Sequence, residues 1–383
     1  MNYHSTNKRG FSSVTRSLIT IKILVLICIA VGACSSGGGN SDYDSPNEPD
    51  IITPSNLEVT IEVVGVDGSH PNGDGSGMVR FTATATNAVN FGFKFDDGPI
   101  EETATGMIEH TFDFFGTNDY NVSVYAYSTT DHSIRTDKIV TVFVESELIW
   151  ADEFDVDGAV SSDNWILETI PPNNGSWWNG EKQHYTDRID NAYVSDGTLK
   201  IVAKKESYTF QNSTQEYTSA RLNSKFAFTY GRVDVRAKLP SGQGTWPAIW
   251  TLGENIETVG WPACGEIDIM EHWGHNPTIV SSATHTPACS GGCENVTVGE
   301  TEVNDYDTEF HIYSIEWDTK EIRFYLDDQF LYAYGPAAKN SSNWPYTANQ
   351  FILLNVAMGG SWFNIDPSFT QAIMEIDYVR VYQ

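Results

Sequence analysis

The sequence is short of positive charge and of cysteine. It has 22 lysine and arginine residues against 51 aspartate and glutamate residues, a formal net charge of −29 at pH 7, and five cysteines in 383 residues. Nucleic acids and anionic membrane surfaces bind through lysine and arginine, so this balance argues against nucleic acid as a partner. It favours a substrate that is neutral or only weakly charged.

Helical periodicity is also missing. No window shows a sustained run in which apolar residues recur every 3.6 residues. Instead, short runs alternate apolar and polar residues between turns that contain Gly, Asn and Asp, as in MVRFTATAT and YGRVDVRAKL. The alternation predicts an all-β protein, and 383 residues suit two domains.

The N-terminal segment predicts export. Residues 1–33 contain basic residues and no acid, and they end in the apolar run ILVLICIAVGA, which is too short for a comfortable membrane span. VGAC resembles a bacterial lipobox, which would make Cys34 the lipidated first residue; an ordinary secretory signal is the alternative. Residues 34–55 predict a flexible linker. We therefore expect a lipid-anchored protein of the bacterial cell envelope, at the outer membrane or cell surface.

A small β domain is expected after the linker. Residues 56–146 alternate in LEVTIEVV, YNVSVYAYS and KIVTVFVES, a pattern typical of an immunoglobulin-like β-sandwich. FKFDDG, HTF and YNVSVYAY resemble a PKD-type (polycystic-kidney-disease) domain. The region contains no tryptophan, which favours a spacer over a sugar-binding module, although both interpretations remain open.

A larger domain follows over residues 147–383. It contains all eleven tryptophans of the chain, from Trp150 to Trp362. Its alternating runs, with no helical period, suit one large sandwich of two sheets packed face to face, one of which can curve into a cleft.

Three cysteines lie in this larger region. A zinc site needs four ligands with paired spacings, and Cys264, Cys289 and Cys293 do not provide them. In an oxidising compartment, the short loop CSGGC can close as a disulfide between Cys289 and Cys293. Cys264 is then left unpaired.

The segment GEIDIMEHWG places three acids within six residues. Because side chains alternate along a strand, Glu266 and Asp268 share one face and the neighbouring isoleucines face the core. Regular alternation would bury Glu271 among those isoleucines without a partner, at a cost of several kcal/mol. A β-bulge near Met270 would add one residue and return all three acids to one open face, and bulges are common at active sites.

Two carboxylates that flank a bond are what glycoside hydrolysis requires. One attacks the anomeric carbon, while the other protonates the leaving oxygen and later activates water. A middle carboxylate, Asp268, can hydrogen-bond the nucleophile and keep the pKa values of the pair apart. A solvated strand face and a calcium cage are the alternatives.

Longer motifs favour the hydrolase. WWNGEKQHYTDR, YTSARLNSKFAFTYGRVDVRAKLPSGQGTWPAIWTLG, WPACGEIDIMEHWG, LNVAMGGSW and IDYVRVYQ together strongly resemble the laminarinase-like branch of glycoside hydrolase family 16. The resemblance implies a concanavalin-like β-jelly-roll that cleaves β-1,3-glucans such as laminarin within the chain and with retention. It makes Glu266 the nucleophile and Glu271 the acid/base, with Asp268 between them. Lichenase-like members have the shorter spacing E-x-D-x-E.

The matched motifs also contain candidate sugar-binding residues. Pyranose rings stack on indoles, and the resemblance favours Trp246 and Trp261 as platforms; a core position is the alternative for any tryptophan. A solvated surface is the alternative for the polar candidates, and a satisfied core histidine for His285. The substrate-binding candidates are Asn179, Glu181, Arg221, Trp246, Trp250, Trp261, His285 and Trp362.

No cofactor is expected for the chemistry, but many members of the family hold a structural calcium away from the cleft. The matching positions are Glu153, the carbonyl of Gly197, and Asp377, and oxygen ligands suit this cation. We expect a monomer that acts on a β-glucan polysaccharide. One alternative is a hydrolase of mixed-linkage glucan or of a galactan; the shortage of basic residues argues against sulfated galactans. The other is an inactive glucan-binding protein, against which the three acids argue.

Overall fold

The structure is a computed structural model, which describes residues 51–173, 175–291, 293, 297–361 and 363–383. The predicted signal peptide, Cys34, the linker up to residue 50 and Trp362 lie outside the described residues.

Strands make up nearly all of the regular structure, as the alternation predicts. The described part of the chain has one α-helix of four residues, Ile256–Val259, and one 3-10 turn, Trp178–Gly180. None of its helices has the length and apolar character needed to cross a membrane.

The first seven strands enclose a small core of their own. They are β1 (Ser55–Val63), β2 (Met78–Thr86), β3 (Asn90–Phe95), β4 (Ile100–Thr103), β5 (Met107–Thr111), β6 (Gly116–Tyr127) and β7 (Ser133–Val144). They form two antiparallel sheets, in the orders β1-β2-β5 and β4-β3-β6-β7. Alternation buries Val122, Val124 and Ala126 of β6 against Phe81 and Phe93.

Seventeen further strands form the rest of the described structure. They are β8 (Leu148–Asp152), β9 (Trp165–Leu167), β10 (Gln183–Tyr185), β11 (Ala192–Ser195), β12 (Thr198–Phe210), β13 (Ser213–Ser219), β14 (Arg221–Phe228), β15 (Gly231–Lys238), β16 (Thr245–Gly253), β17 (Glu266–His272), β18 (Ile279–His285), β19 (Thr297–Glu302), β20 (His311–Trp317), β21 (Ile322–Leu326), β22 (Gln329–Tyr334), β23 (Gln350–Met358) and β24 (Gln371–Tyr382).

These strands build a large jelly-roll sandwich. One sheet has ten strands, in the order β10-β13-β12-β24-β15-β20-β21-β22, with β11 beside β12 and β8 beside β24. The other has seven strands, in the order β19-β18-β17-β16-β23-β14-β9. Leu199 and Val233 from the first sheet and Ile267 and Leu354 from the second are fully buried in one shared core.

The seven-stranded sheet has a second face that is rich in polar and aromatic side chains. On β16, Ile249 is fully buried in the core. Its neighbours Ala248 and Trp250 point to the opposite face and line a cleft, because side chains alternate along a strand. The sequence of each central strand therefore divides into a core-facing half and a cleft-facing half.

The small and large sandwiches touch. The guanidinium of Arg323 lies over the ring of Phe114, and Lys320 Nζ lies 2.9 Å from Asp113 Oδ2. Beside these contacts is a cavity of about 250 Å³ whose lining includes Trp317. Phe114 is buried, so part of the hydrophobic surface between the two sandwiches is closed to water.

Candidate active site

A cleft of about 680 Å³ lies on the outer face of the seven-stranded sheet. Its floor comes from β14, β16, β17 and β23, the four central strands in the sheet. It brings together most of the site residues predicted from the sequence, namely Asn179, Glu181, Arg221, Trp246, Trp250, Trp261, Glu266, Asp268 and Glu271.

An extra residue in β17 places the three acids on one face. Between Asp268 and Glu271, β17 advances three residues while its partner β18 advances only two. The register with β16 shifts at the same point. Ile269 and Met270 are both buried in the core, whereas the acids line the cleft. The β-bulge predicted near Met270 is therefore confirmed.

Glycine is required immediately before β17. Gly265 has a φ of +78°, and a Cβ there would lie 2.9 Å from the ring of Tyr346. The hydroxyl of Tyr346 lies 3.2 Å from the carbonyl oxygen of Glu266 and 3.0 Å from that of His285, and its single proton is shared between these two acceptors. This buried tyrosine thereby ties the start of β17 to the end of β18, so the side chain of Glu266 leaves a fixed backbone.

The two outer acids are each held by an indole. Trp261 Nε1 donates to Glu266 Oε2 at 3.0 Å, and Trp246 Nε1 donates to Glu271 Oε1 at 2.9 Å. Trp261 is 48% exposed, so its ring is also open to a ligand. The two tryptophans predicted as sugar platforms thus also orient the carboxylates.

The middle acid is buried and bonded to histidine. Asp268 is only 4% exposed. Its Oδ2 lies 3.0 Å from His285 Nε2, and the same nitrogen lies 3.6 Å from Glu266 Oε1. His285 therefore lies beside the acids, although it was predicted as a substrate-binding residue.

Burial dominates the electrostatics of the three acids. It is the largest cause of the raised pKa of Glu266, to which the nearby charge of Asp268 adds. Burial also raises the pKa of Asp268. It raises the pKa of Glu271 to about 8, although the hydrogen bond from Trp246 acts in the opposite direction. The site therefore disfavours three negative charges at once and retains protons at neutral pH.

Arg221 lies along one wall of the cleft. Its Nε lies 2.8 Å from Glu168 Oε2, and its guanidinium lies over the ring of Trp250, 4.8 Å from the centroid. Trp250 Nε1 in turn donates to Asn355 Oδ1 at 2.8 Å. The cation is thus oriented from two sides.

Glu181 belongs to a buried hydrogen-bond network beside Arg221. Its Oε2 accepts hydrogen bonds from Gln183 Nε2 (2.6 Å) and from the hydroxyl of Tyr185 (3.2 Å). Asn355 Nδ2 donates to the Tyr185 hydroxyl at 3.2 Å. Burial raises the pKa of Glu181, and these hydrogen bonds oppose the rise.

Asn179 is placed at the cleft by its backbone. It has a φ of +60°, and its carbonyl oxygen accepts hydrogen bonds from the N–H (2.8 Å) and hydroxyl (3.0 Å) of Ser361. Its exposed side chain remains available to a ligand. Trp362, the next residue after Ser361, lies outside the described residues.

Sequence reasoning missed the aromatic and polar residues Trp178, Tyr185 and Asn355, which line the cleft together with the unpredicted apolar residues Ala248, Leu252, Ile256 and Ala357. Trp178 is 55% exposed. Exposed aromatic residues are common sugar-stacking surfaces, and Trp178 and Tyr185 both lie in the quoted motif WWNGEKQHYTDR, so that motif held the available signal. Asn355 lies within the apolar strand β23, where alternation alone does not single it out.

The predicted calcium ligands are engaged by arginine side chains. Arg380 binds both oxygens of Glu153, at 2.7 and 2.9 Å, and lowers the pKa of that carboxyl. Arg236 Nη1 lies 2.6 Å from Asp377 Oδ2. Because guanidinium groups already neutralise both carboxylates, the side chains as placed do not fit a cation. Calcium at Glu153, the carbonyl of Gly197 and Asp377 stays a prediction.

The cysteines pair within the loop after β18. Cys289 and Cys293 form a disulfide with their Cα atoms 5.7 Å apart. Cys264 is free and buried, where burial raises the pKa of its thiol to about 11. Cys289 follows His285 shortly after the end of β18. Inside the loop that the bridge closes, the backbone N–H of Gly291 donates to His285 Nδ1 at 3.1 Å.

The arrangement suits hydrolysis of a neutral polymer. Two partly accessible glutamates, Glu266 and Glu271, flank the buried Asp268. Both glutamates can act on a glycosidic bond that lies between them in the cleft. Indole rings in the cleft provide flat apolar surfaces for sugar rings, while amide and guanidinium groups can bond hydroxyls. No step of this chemistry needs a metal ion.

Similarity to known proteins supports this interpretation. The profile of Glycosyl hydrolases family 16 matches residues 178–380. A Beta-glucanase of Rhodothermus marinus is 41% identical over 252 residues, covering 62% of this chain and 85% of that protein. A Glucan endo-1,3-beta-glucosidase of Cryptopygus antarcticus is 34% identical over 249 residues, covering 61% and 90%.

A solved structure is also similar. It is a LamA variant from Zobellia galactanivorans in complex with laminaritriose and laminaritetraose. It is 48% identical to this chain, with a TM-score of 0.56, and the match covers 62% of this chain and 98% of that chain.

Proposed function

The chain belongs to glycosyl hydrolase family 16 and is a glycoside hydrolase, and we propose that it cleaves β-1,3-glucans such as laminarin at internal bonds. The observation that carries the substrate is the 48% identity to a protein whose structure holds laminaritriose and laminaritetraose. The cleft supports this substrate, because it offers exposed indoles beside the acids, and Arg221 is the one lysine or arginine among the described residues that line it. A sulfated polymer would favour several basic groups.

We assign the nucleophile to Glu266. Its carboxylate attacks the anomeric carbon while the bond from that carbon to the leaving oxygen breaks, which gives a covalent glycosyl-enzyme. Burial raises the pKa of Glu266 to about 8, as it does for Glu271, so Glu266 must lose its proton before it attacks; the hydrogen bond from the N–H of Trp261 at 3.0 Å lowers this pKa and so favours that loss. The same hydrogen bond also fixes the carboxylate direction, which preserves the alignment needed for attack.

We assign the acid/base to Glu271. A pKa raised to about 8 by burial keeps this residue protonated at neutral pH, so it can give its proton to the leaving glycosidic oxygen. In the second step, the resulting carboxylate takes a proton from water. That water attacks the anomeric carbon and releases Glu266, and the two inversions give retention.

Asp268 supports both steps from below the cleft. Its charge raises the pKa of Glu266 and of Glu271, so it favours the protonated form of the acid. His285 Nε2 lies 3.0 Å from Asp268 Oδ2 and helps to fix the direction of that carboxyl group. We infer that Asp268 controls how many negative charges the site holds during the two steps.

The substrate assignment is tested by the release of reducing ends from a panel of laminarin, lichenan, agarose and carrageenan. We expect turnover to be fastest on laminarin, with oligosaccharides of several lengths as early products and a β anomer as the first product by NMR. Glu266→Ser should abolish turnover while laminarin binding persists. Faster hydrolysis of agarose or carrageenan would refute the substrate, and an α anomer would refute double displacement.

We further propose that Cys34 carries a lipid anchor and that residues 56–146 are a PKD-type spacer behind it. The lipobox-like VGAC after a basic and apolar leader supports the anchor. In bacteria that express the full chain, Cys34→Ala should move the protein from the membrane fraction to the soluble fraction. Equal membrane association of the two proteins would contradict an anchor at Cys34.

A further inference from the structure

Asn355 joins two sides of the cleft. Its Oδ1 accepts a hydrogen bond of 2.8 Å from Trp250 Nε1, and its Nδ2 donates to the hydroxyl of Tyr185 at 3.2 Å. Trp250 belongs to β16 of the seven-stranded sheet, whereas Tyr185 ends β10 of the ten-stranded sheet. Asn355 is only 6% exposed, so one buried side chain connects a strand of each sheet at the cleft.

The two partners fix which way the amide of Asn355 points. An indole N–H can only donate, so the amide oxygen faces Trp250 and the amide nitrogen faces Tyr185. The hydroxyl oxygen of Tyr185 accepts that bond, which leaves its proton for Glu181 Oε2 at 3.2 Å. The three hydrogen bonds therefore run in one direction, from the indole of Trp250 to the carboxyl group of Glu181.

Each end of this chain of hydrogen bonds carries a group that faces the cleft. At one end, the guanidinium of Arg221 lies over the ring of Trp250, 4.8 Å from its centroid. At the other end, Tyr185 and Glu181 line the cleft. We call Trp250 with Arg221 the indole wall, and Tyr185 with Glu181 the carboxyl wall. Because Asn355 bonds to both walls, its amide sets the position of one relative to the other.

Strand β23 holds Glu181 from a second side as well. Gln183 Nε2 donates to Glu181 Oε2 at 2.6 Å, and Gln183 Oε1 accepts from the backbone N–H of Met358 at 2.8 Å. Asn355 and Met358 both belong to β23. The bonds of Gln183 orient Glu181 but do not include Trp250, so the link between the two walls passes through Asn355.

Cross-strand pairing sets the distance of Asn355 from the acid/base. Asn355 pairs with Ala248 of β16, and Ala248 pairs with Glu271 of β17. Since adjacent strands lie about 4.8 Å apart, the backbones of Asn355 and Glu271 are about 10 Å apart. Neither hydrogen bond of the Asn355 side chain goes to a catalytic acid. Asn355 therefore acts through the two walls and not through proton transfer.

We propose that Asn355 is a positioning residue that holds the indole wall and the carboxyl wall in a fixed relation, so that the two walls bind the glucan together beside the cleaved bond. This role rests on the proposed glucanase function for its kinetic readout. Leucine is similar in size to asparagine, but it can neither accept from Trp250 nor donate to Tyr185. Asn355→Leu therefore separates the walls without opening a large cavity.

The effect of losing the amide should fall on substrate binding. The walls contact the glucan both before and during bond cleavage, and the loss of such uniform binding raises KM while kcat is unchanged. Glu271 and Glu266 keep their own hydrogen bonds from Trp246 and Trp261, so the pH profile of kcat should stay in place. A general loosening of the sheet would instead lower kcat, because the acids would lose their alignment.

The test measures kcat and KM on laminarin for the wild type, Asn355→Leu, Tyr185→Phe and the double variant. We expect Asn355→Leu to raise KM about three- to tenfold, which corresponds to the loss of about one hydrogen bond, with kcat unchanged. Tyr185→Phe breaks the same chain of bonds but keeps Asn355. The double variant should therefore raise KM by less than the product of the two single effects.

Thr251 provides a matched control in the same sheet. Its hydroxyl donates to Gln350 Oε1 at 3.1 Å, and it is 1% exposed. As the next residue after Trp250 on β16, it faces the core. Thr251→Val also removes one buried hydrogen bond, so it should lower the melting temperature without a change in KM.

Circular dichroism confirms that each variant is folded, and if Asn355→Leu does not fold, the rise in KM of Tyr185→Phe alone decides the matter. An equal rise in KM in Thr251→Val would overturn the proposal. So would independent effects of Asn355→Leu and Tyr185→Phe, or a fall in kcat with an unchanged KM in either variant.

The chain of hydrogen bonds can also be measured without a substrate. In ¹H–¹⁵N NMR spectra, the indole N–H of Trp250, assigned by its absence from Trp250→Phe, should move upfield in Asn355→Leu because it loses its acceptor. The same resonance in Asn355→Leu and wild type would overturn the proposal even if laminarin is hydrolysed. If laminarin is not hydrolysed, but the resonance moves and KM rises on another glycan of the panel, the proposed substrate is wrong and the role of Asn355 stands.

Discussion

Trp246 and Trp261 each donate an indole N–H to an acid at one end of the catalytic triplet. From the sequence, both were predicted only as surfaces for sugar stacking, because stacking follows from residue type and a position in the matched motifs. The hydrogen bond from Trp246 to Glu271 joins residues 25 positions apart. It depends on the pairing of β16 with β17 and on the bulge, neither of which residue type reveals.

Replacing Trp246 separates these two roles. Trp246→Phe keeps an aromatic ring in the cleft but removes the hydrogen bond that favours ionised Glu271. We expect the pKa of Glu271 to rise, so the alkaline limb of kcat/KM should move toward higher pH. Trp250→Phe is the matched control, since that indole donates to Asn355 and not to an acid. Equal shifts in the two variants would contradict the role of the hydrogen bond.

Stability should also depend on the buried acids. Burial raises the pKa of Glu271 from 4.5 to about 8, so between these pH values the folded protein keeps a proton that the unfolded chain releases. The contribution to stability is complete below pH 4.5 and is lost as pH rises through 8.

The Glu271→Gln side chain cannot ionise. Between pH 4.5 and about 8, this variant should therefore lose less stability than the wild type. At the alkaline end, we expect its melting temperature to exceed that of the wild type by at least about 2 °C, the shift that corresponds to about 1 kcal/mol in a domain of this size. Differential scanning calorimetry at several pH values measures this. If the melting temperatures of the two proteins changed with pH in parallel, Glu271 would not be a buried group with a raised pKa.

At the level of strands, alternation predicted long elements well and short ones poorly. The run MVRFTATAT is β2, Met78–Thr86, residue for residue. The run EIRFYLDDQFLYAY forms two strands: the structure divides it into β21 and β22 at Asp327 and Asp328, which have φ values of +48° and +60°. The tight turn needs left-handed backbone, and the consecutive polar residues Asp327, Asp328 and Gln329 interrupt the alternation at that point.

Other strands could not have been found from a period of two. Strands β9 and β10 have three residues each, too few to show a period. Strand β23 is buried along nearly all its length, so no alternation of polar and apolar residues distinguishes its cleft-facing residues Asn355 and Ala357 from its core-facing ones. The same burial hid Asn355 as a site residue.

The bulge in β17 leads to a prediction about chain length. Deleting Met270 gives Glu-Ile-Asp-Ile-Glu, in which plain alternation puts all three acids on the cleft face. The deletion also removes a fully buried side chain, so we expect a loss of about 2–5 kcal/mol in stability but measurable activity. Inserting one residue beside Met270 should abolish activity, because Glu271 would turn toward the core.

Initial rates on laminarin compare the deletion, the insertion and Glu271→Gln, each after circular dichroism shows that the variant is folded. The deletion should be the most active of the three, because the other two misplace or remove the proton donor. A tolerated insertion together with an inactive deletion would refute this account of the bulge.

At the level of the whole molecule, the contact between the two sandwiches changes what removal of the small one should do. The sequence favoured a spacer, and nothing in its pattern indicated that Phe114 would be covered by Arg323 of the large sandwich. Removing residues 35–146 should leave turnover of soluble laminarin close to that of the full chain. The three acids lie on the seven-stranded sheet, whereas Arg323 lies on the ten-stranded sheet.

The same truncation should lower the melting temperature of the large sandwich, because it exposes apolar surface that Phe114 now covers. Within the full chain, Phe114→Ala should reproduce most of this loss. Lys320→Ala is the matched control: its ion pair with Asp113 is exposed on both sides, so the effect should be at most about 1 kcal/mol. A truncated protein as stable as the full chain would show that the contact does not contribute to stability.

The bulge also bears on how this site changes over generations. A strand face repeats every two residues, and the bulge absorbs one extra residue, so the spacings E-x-D-x-x-E and E-x-D-x-E can present the same three acids to the cleft, and one codon separates them. If the Met270 deletion keeps activity as expected above, a lineage can lose that codon in a single event and keep a working site. Selection on the altered twist can then act on linkage preference without any intermediate that lacks the catalytic acids.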